Sequence, residues 1–137
     1  MPKQFIISAQ IQKDVKTVWE TYNQPKHIMK WNAASFDWHS PAARSDFREG
    51  GQFNYRMEAK DGSEGFDFTG TFDIIDTFKL IKYHMDDQRE VVIKFTAKGE
   101  ETHVEVVVDA EETFPIEFQK RGWQSILNNF KRYVESF

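Results

Sequence analysis

Four histidines, His27, His39, His84 and His103, are the side chains in this sequence best suited to acid–base or metal chemistry. No two of them stand at the four-residue helical step, or at a short strand step, beside an acid as a metal site requires. His84 and His103 alternate with apolar neighbours and are expected on a solvent face. His39, next to Trp38, is the one with unusual company. The acid pairs Asp86-Asp87, Glu100-Glu101 and Glu111-Glu112 fall at turns or strand ends, where solvated charge discourages edge pairing. Asp67, Thr69, Thr71 and Asp73 lie opposite Phe66, Phe68, Phe72 and Ile74 by strand parity, so a carboxylate pair cannot share a pocket with those rings. None of the serines has the nucleophile-elbow context, and Gly50-Gly51 lacks the lysine and Ser/Thr of a phosphate-binding loop. Chemistry by charged groups is therefore poorly provided for. Aromatic groups are not: 13 Phe, 4 Trp and 4 Tyr make 15% of 137 residues. Such a load of rings packs a dense core or lines an apolar pocket.

Composition narrows the classes further. Lys plus Arg is 18 and Asp plus Glu is 22, so the net charge is −4. An acidic chain with scattered lysines does not suit nucleic acid, where binding depends on neutralising phosphates. No apolar run approaches the ~18 residues of a membrane span, so no membrane insertion is expected. The start, Met1-Pro-Lys-Gln-Phe5, lacks a signal-peptide core. Absence of cysteine excludes disulfides, thiol catalysis and thiolate-bound zinc, and accords with a cytoplasmic protein. No metal or cofactor is expected. The length and the lack of a linker predict a single domain over residues 1–137.

The elements that must position the rings can be read from periodicity. Phe5, Ile7, Ala9 and Ile11 alternate with polar or outward residues, as in a half-buried strand. Asp14 reads as a helix N-cap ahead of Val15, Val18, Trp19 and Tyr22. Pro25 opens a second short helix with Ile28, Met29 and Trp31. Residues 32–45 show no pattern and are expected to be irregular, with Phe36 and Trp38 folded inward. Phe47 to Phe53 reads as strand, Gly-Gly turn, strand. Alternation then runs through Phe53, Tyr55 and Met57; Phe66 to Ile74; Ile81, Tyr83 and Met85; Val91 to Ala97; and Val104 to Ala110. Pro115 opens a last segment in which Ile116, Trp123, Ile126, Leu127, Phe130, Tyr133, Val134 and Phe137 recur at helical steps. A helix of about 20 residues is about 30 Å long, matching a strand of about nine. The prediction is α+β: about seven antiparallel strands in a curved sheet wrapped around the C-terminal helix, with two short helices after strand 1. Gly122, inside that helix, is a tolerated defect, a point of close backbone approach, or room for something bound beside Trp123.

This order resembles the helix-grip layout of the START-like (SRPBCC) superfamily, and its local strings resemble the branch of heat-shock-protein ATPase activator homologues. The strings are Val15-Lys-Thr-Val-Trp19, Pro25-Lys-His-Ile-Met-Lys-Trp31, Gly50-Gly-Gln-Phe53 with Met57 and Asp61-Gly62, Gly70-Thr-Phe72 with Leu80, and Gly122-Trp123 with Leu127. The resemblance implies a cavity between sheet and final helix, lined by Trp31, Phe53, Tyr55, Phe68, Phe72, Tyr83, Ile93, Trp123 and Leu127. A dry void of roughly 300 Å³ at about 24 cal/mol per Å³ would cost several kcal/mol, comparable with a domain's stability of about 5–15 kcal/mol. Such a space is collapsed by large side chains, hydrated, or filled. Three functions follow as expectations. The first is a module that binds a small hydrophobic ligand, aromatic or lipid-like. The second is an enzyme of the polyketide cyclase or hydrolase type, for which only Tyr55, Tyr83, His39 and Arg48 offer ionisable groups. The third is a chaperone-interacting module.

Overall fold

The computed structural model describes residues 3–137; Met1 and Pro2, part of the stretch read against a signal peptide, lie outside the described residues. The elements run β1 (Gln4–Ile11), α1 (Val15–Asn23), α2 (Pro25–Trp31), β2 (Trp38–Ser45), β3 (Gln52–Ala59), β4 (Gly65–Asp76), β5 (Leu80–Met85), β6 (Glu90–Lys98), β7 (Glu101–Asp109) and α3 (Ile116–Glu135). The seven strands form one sheet in the order β1-β7-β6-β5-β4-β3-β2, antiparallel throughout. It curls into a half-barrel, with α3 in its hollow. The architecture is the α+β arrangement expected from the periodicity, a curved antiparallel sheet around the C-terminal helix, and it has the helix-grip layout that the resemblance implies.

Alternation dictates which residues face α3. β1 is buried at every second position, from Phe5 to Ile11. Ile7, Val106, Ile93 and Ile81 are successive cross-strand partners over four strands, so one row of branched aliphatics forms the floor of the hollow. α1 is started by Asp14, whose Oδ2 accepts from the Thr17 backbone N–H at 3.3 Å and whose Oδ1 accepts from Thr17 Oγ1 at 2.6 Å. α3 is started by Pro115 at the cap position, one residue outside the helix rather than its first residue. Its inner stripe buries Leu127, Phe130 and Val134.

Gly122 is not a point of close approach. A Cβ built there meets nothing within 4 Å. No protein atom requires a glycine at this point of the helix, and Gly122→Ala should raise stability by about 0.5–1 kcal/mol, read as a higher urea midpoint with unchanged slope. Gly70 is the opposite case: a Cβ would lie 2.6 Å from Phe53 Cζ and 2.7 Å from the His84 carbonyl oxygen. The Phe53 ring occupies the space that a side chain on β4 would have taken.

Four expectations need correction. Residues 38–45 are not irregular; they form edge strand β2, paired with β3. The register shifts between His39 and Ala42, around Pro41, which an edge strand tolerates because its missing N–H need not face a partner. Phe36 does not fold inward; it is 88% exposed, while Trp38 is half-buried with its ring 6.1 Å from that of Phe66. Phe47 lies in the turn after β2 rather than in a strand, packing its ring on Trp19 and Phe72. Ile74 is exposed and Ile75 packs on the core instead, because Asp73 is an extra residue between the pairs Phe72–Tyr83 and Ile74–Lys82. That bulge turns the end of β4 by one residue.

Candidate functional site

Between the sheet and α3 lies a cavity of about 490 Å³. Its floor is the aliphatic row from β1, β7, β6 and β5. One wall comes from β3 and β4, where parity sends Phe53, Tyr55, Phe68 and Phe72 inward. These rings are in mutual contact: Phe53 stacks on Tyr55 with centroids 4.8 Å apart and meets Tyr83 edge-on at 5.0 Å. The roof is α3, which supplies Trp123, Ile126 and Leu127. Trp123 bridges roof and both sides of the sheet, 6.4 Å from Phe5 and 6.0 Å from Phe68. Trp31 closes one end from α2, its indole N–H donating to the Thr21 carbonyl at 3.1 Å.

All nine residues that the resemblance assigns to the lining (Trp31, Phe53, Tyr55, Phe68, Phe72, Tyr83, Ile93, Trp123 and Leu127) stand on this wall. The rings do not collapse the space. The cavity reaches the surface where Phe66, Phe114 and Phe118 line it while remaining 49%, 52% and 61% exposed. Phe114 and Phe118 touch, with centroids 5.5 Å apart. Gln119 fixes this rim: its Nε2 donates to the carbonyls of Glu111 and Phe114, and its Oε1 accepts from the Glu111 backbone N–H. One buried amide thus ties the β7–α3 connection to the first turn of α3.

The polar groups on the wall are few. Tyr22, Tyr55 and Tyr83 all line the cavity. Burial pushes all three phenols above their ordinary value of 10.0; repulsion from neighbouring ionised phenols adds to this at Tyr22 and Tyr83, while Ser45 partly offsets it at Tyr55. They are neutral hydroxyls throughout the physiological range, able to donate and to accept. The sign of their linkage is definite. The unfolded phenols ionise near 10.0 while the folded ones ionise higher, so the unfolded state releases protons first and stability falls as pH rises past 10. Melting temperature should therefore drop between pH 9 and about 11.5, and the drop should shrink in the Tyr22→Phe, Tyr55→Phe, Tyr83→Phe triple variant.

At the rim stand Arg89 and Glu111, with Arg89 Nη1 3.8 Å from Glu111 Oε2 and Arg89 Nε 2.7 Å from Asp87 Oδ2. Glu111 was expected to be solvated; its Oε1 is instead buried without a protein partner among the described residues. Of the ionisable groups expected to point inward, Tyr55 and Tyr83 do. Arg48 is exposed and paired with Asp46, and His39 lines a different groove. Tyr22, Arg89, Glu111 and Gln119 were not among the expected lining residues. Tyr22 could have been found, since it lies on the inner stripe of α1. Arg89 and Glu111 flank turns, where parity has nothing to say. Among the described residues no group of three or more His, Cys, Asp or Glu is placed to hold a metal ion, and no helix is long and apolar enough to cross a membrane.

Known proteins share this arrangement. An AHSA1-like protein from Aeromonas hydrophila, solved by NMR, is 45% identical over 98% of this chain and 93% of its own, with a TM-score of 0.92. A protein from Cytophaga hutchinsonii is also 45% identical, covering 97% of this chain and 92% of its own, at a TM-score of 0.84. A Nitrosomonas europaea protein shares the fold at 17% identity, with 97% and 94% of the chains covered and a TM-score of 0.84. No curated protein matches the chain. The family described as Activator of Hsp90 ATPase homolog 1-like protein matches residues 13–135, nearly the full span from before α1 to the end of α3, and the chain belongs to that family.

Proposed function

We propose that the protein binds a small hydrophobic molecule, with an aromatic or lipid-like body, in the cavity between sheet and α3. The observation that carries this reading is the cavity itself: about 490 Å³, walled by rings and branched aliphatics, and open at an aromatic rim. At about 24 cal/mol per Å³, leaving such a volume empty would cost on the order of 10 kcal/mol, as much as a typical domain's stability of about 5–15 kcal/mol. Water relieves only part of this cost, because apolar walls offer it few partners. An apolar guest removes the cost and gains contact with the rings. The Tyr22, Tyr55 and Tyr83 hydroxyls orient it through a carbonyl or hydroxyl, each such bond contributing about 0.5–1.5 kcal/mol.

The test is a titration of the purified protein with an apolar fluorophore such as anilinonaphthalene sulfonate, alongside native mass spectrometry of what co-purifies. The expected result is saturable 1:1 binding, displaced by apolar competitors, with Tyr83→Phe weakening oxygen-bearing competitors more than hydrocarbons. Absence of saturable binding would end the proposal. The cyclase-type and chaperone readings find no comparable support in the side chains described.

A further inference from the structure

A second concavity lies on the outside of the grip, where α2, the start of β2 and the C-terminal half of α3 meet. Its volume is about 590 Å³. Its wall carries Lys30 from α2, Lys60 from the β3–β4 turn and Arg132 from α3, and no carboxylate. None of these three cations is in an ion pair among the described residues, in a protein whose net charge is −4. The carboxylate of the adjoining loop, Asp37, is off the wall and accepts from Ser35 Oγ. The site has some internal order. Asn129 Nδ2 donates to the Trp31 carbonyl at 2.7 Å, and its Oδ1 accepts from Arg132 Nη2 at 3.4 Å. Beside the cations stand Trp38, half-buried, and Phe36, 88% exposed, the two rings that had been expected to fold inward.

We propose that this groove is a second binding site, for a small soluble anion joined to a planar ring, such as an aromatic phosphate ester. The charge argument selects the anion. Three cations from three separate elements converge on a concavity without carboxylates, so their fields add where an anion would sit. The Arg132 guanidinium, with its fork of N–H donors, is suited to phosphate oxygens. The ring argument selects the rest of the ligand. A phosphate alone would leave Trp38 and Phe36 without use, whereas a planar body can stack on them. The site is separate from the apolar cavity, which has different polar groups and opens at the other end of α3; the two share only Asn32.

The test is a two-dimensional ¹H–¹⁵N NMR titration of the whole chain with phenyl phosphate, inorganic phosphate and benzyl alcohol in parallel. The expected result is saturable shifts at the Trp38 indole N–H, the Asn129 side-chain amide and the Arg132 guanidinium. Phenyl phosphate should bind about tenfold or more tightly than either half-molecule, and its affinity should fall as salt rises. Lys30→Glu and Arg132→Glu should each weaken it about tenfold, while fluorophore binding in the apolar cavity stays unchanged. Lys60→Glu, in the β3–β4 turn and outside both helices, repeats the test should either helix variant misfold. Shifts that are absent at 20 mM phenyl phosphate, that scatter beyond the groove, or that persist unchanged in the charge-reversed variants overturn the proposal.

Discussion

Replacing Phe130 by alanine should remove about 3–5 kcal/mol of stability, a large share of the about 5–15 kcal/mol available to a domain of this size. Phe130 is fully buried on α3, with its ring 5.1 Å from Tyr22 and 5.0 Å from Trp31. Its ring therefore sits where α1, α2 and α3 meet. Trp123, two turns earlier on the same helix, supplies the control. It has the larger side chain, yet it is half-buried and one side of it faces the cavity. Trp123→Ala should cost roughly half as much, since part of its surface never leaves solvent or guest. Urea unfolding of the two variants, with the slope checked for constancy, decides the matter. A larger loss from Trp123 than from Phe130 would mean that the cavity region, and not the helix junction, holds the fold together.

This division of α3 into a sealing half and a lining half explains why some of the molecule was legible in its sequence and some was not. Periodicity reports which face a side chain takes, and α3, β1, β5, β6 and β7 were placed by that alone. It fails where burial on one face is not what sets the backbone. β2 is held by edge hydrogen bonds to β3, and its residues His39-Ser-Pro-Ala-Ala-Arg44 carry no apolar alternation to detect. Ser40 is buried there as a hydroxyl donating to the Arg56 carbonyl, not as a hydrophobe. The bulge at Asp73 is equally silent: a single extra residue moves the inward position from Ile74 to Ile75, both isoleucine, so the string reads the same in either register.

The wall of the cavity divides the same way. Strand and helix positions such as Phe53, Phe68, Tyr83 and Leu127 follow from parity and agree with the resemblance. Arg89 and Glu111 sit beside turns, and Gln119 is a helical glutamine whose task, bonding the Glu111 and Phe114 carbonyls, depends on how the chain enters α3. The loop rings were misjudged for another reason. Two aromatics in a polar loop suggested burial, but in this fold the hollow is already walled by rings from β3 and β4. Phe36 and Trp38 are left on the outer groove with Lys30, Lys60 and Arg132.

The proposed cavity function makes its sharpest demand at Ile126. This residue lies on the cavity-facing side of α3 but is only half-buried, so a larger side chain there can extend into the void instead of being forced into packed atoms. Leu127 is on the same wall but only 3% exposed, so it meets the void with less of its surface, and enlarging it would press on packed atoms at a cost of about 1–3 kcal/mol. Ile126→Trp should accordingly leave melting temperature unchanged or raise it, because the indole gains contacts where the native protein has none. The same indole takes the volume that a guest would need. Binding of an apolar fluorophore should fall by a factor of ten or more, a loss of at least about 1.4 kcal/mol. The two readouts must move in these opposite directions together. A stable Ile126→Trp protein that binds the fluorophore as tightly as the native one would place the binding site elsewhere. A variant that loses both binding and stability would show that the indole cannot enter the space, so the void would be smaller in solution than the walls allow. Stability kept and affinity lost is the combination that an occupied hollow beneath α3 requires.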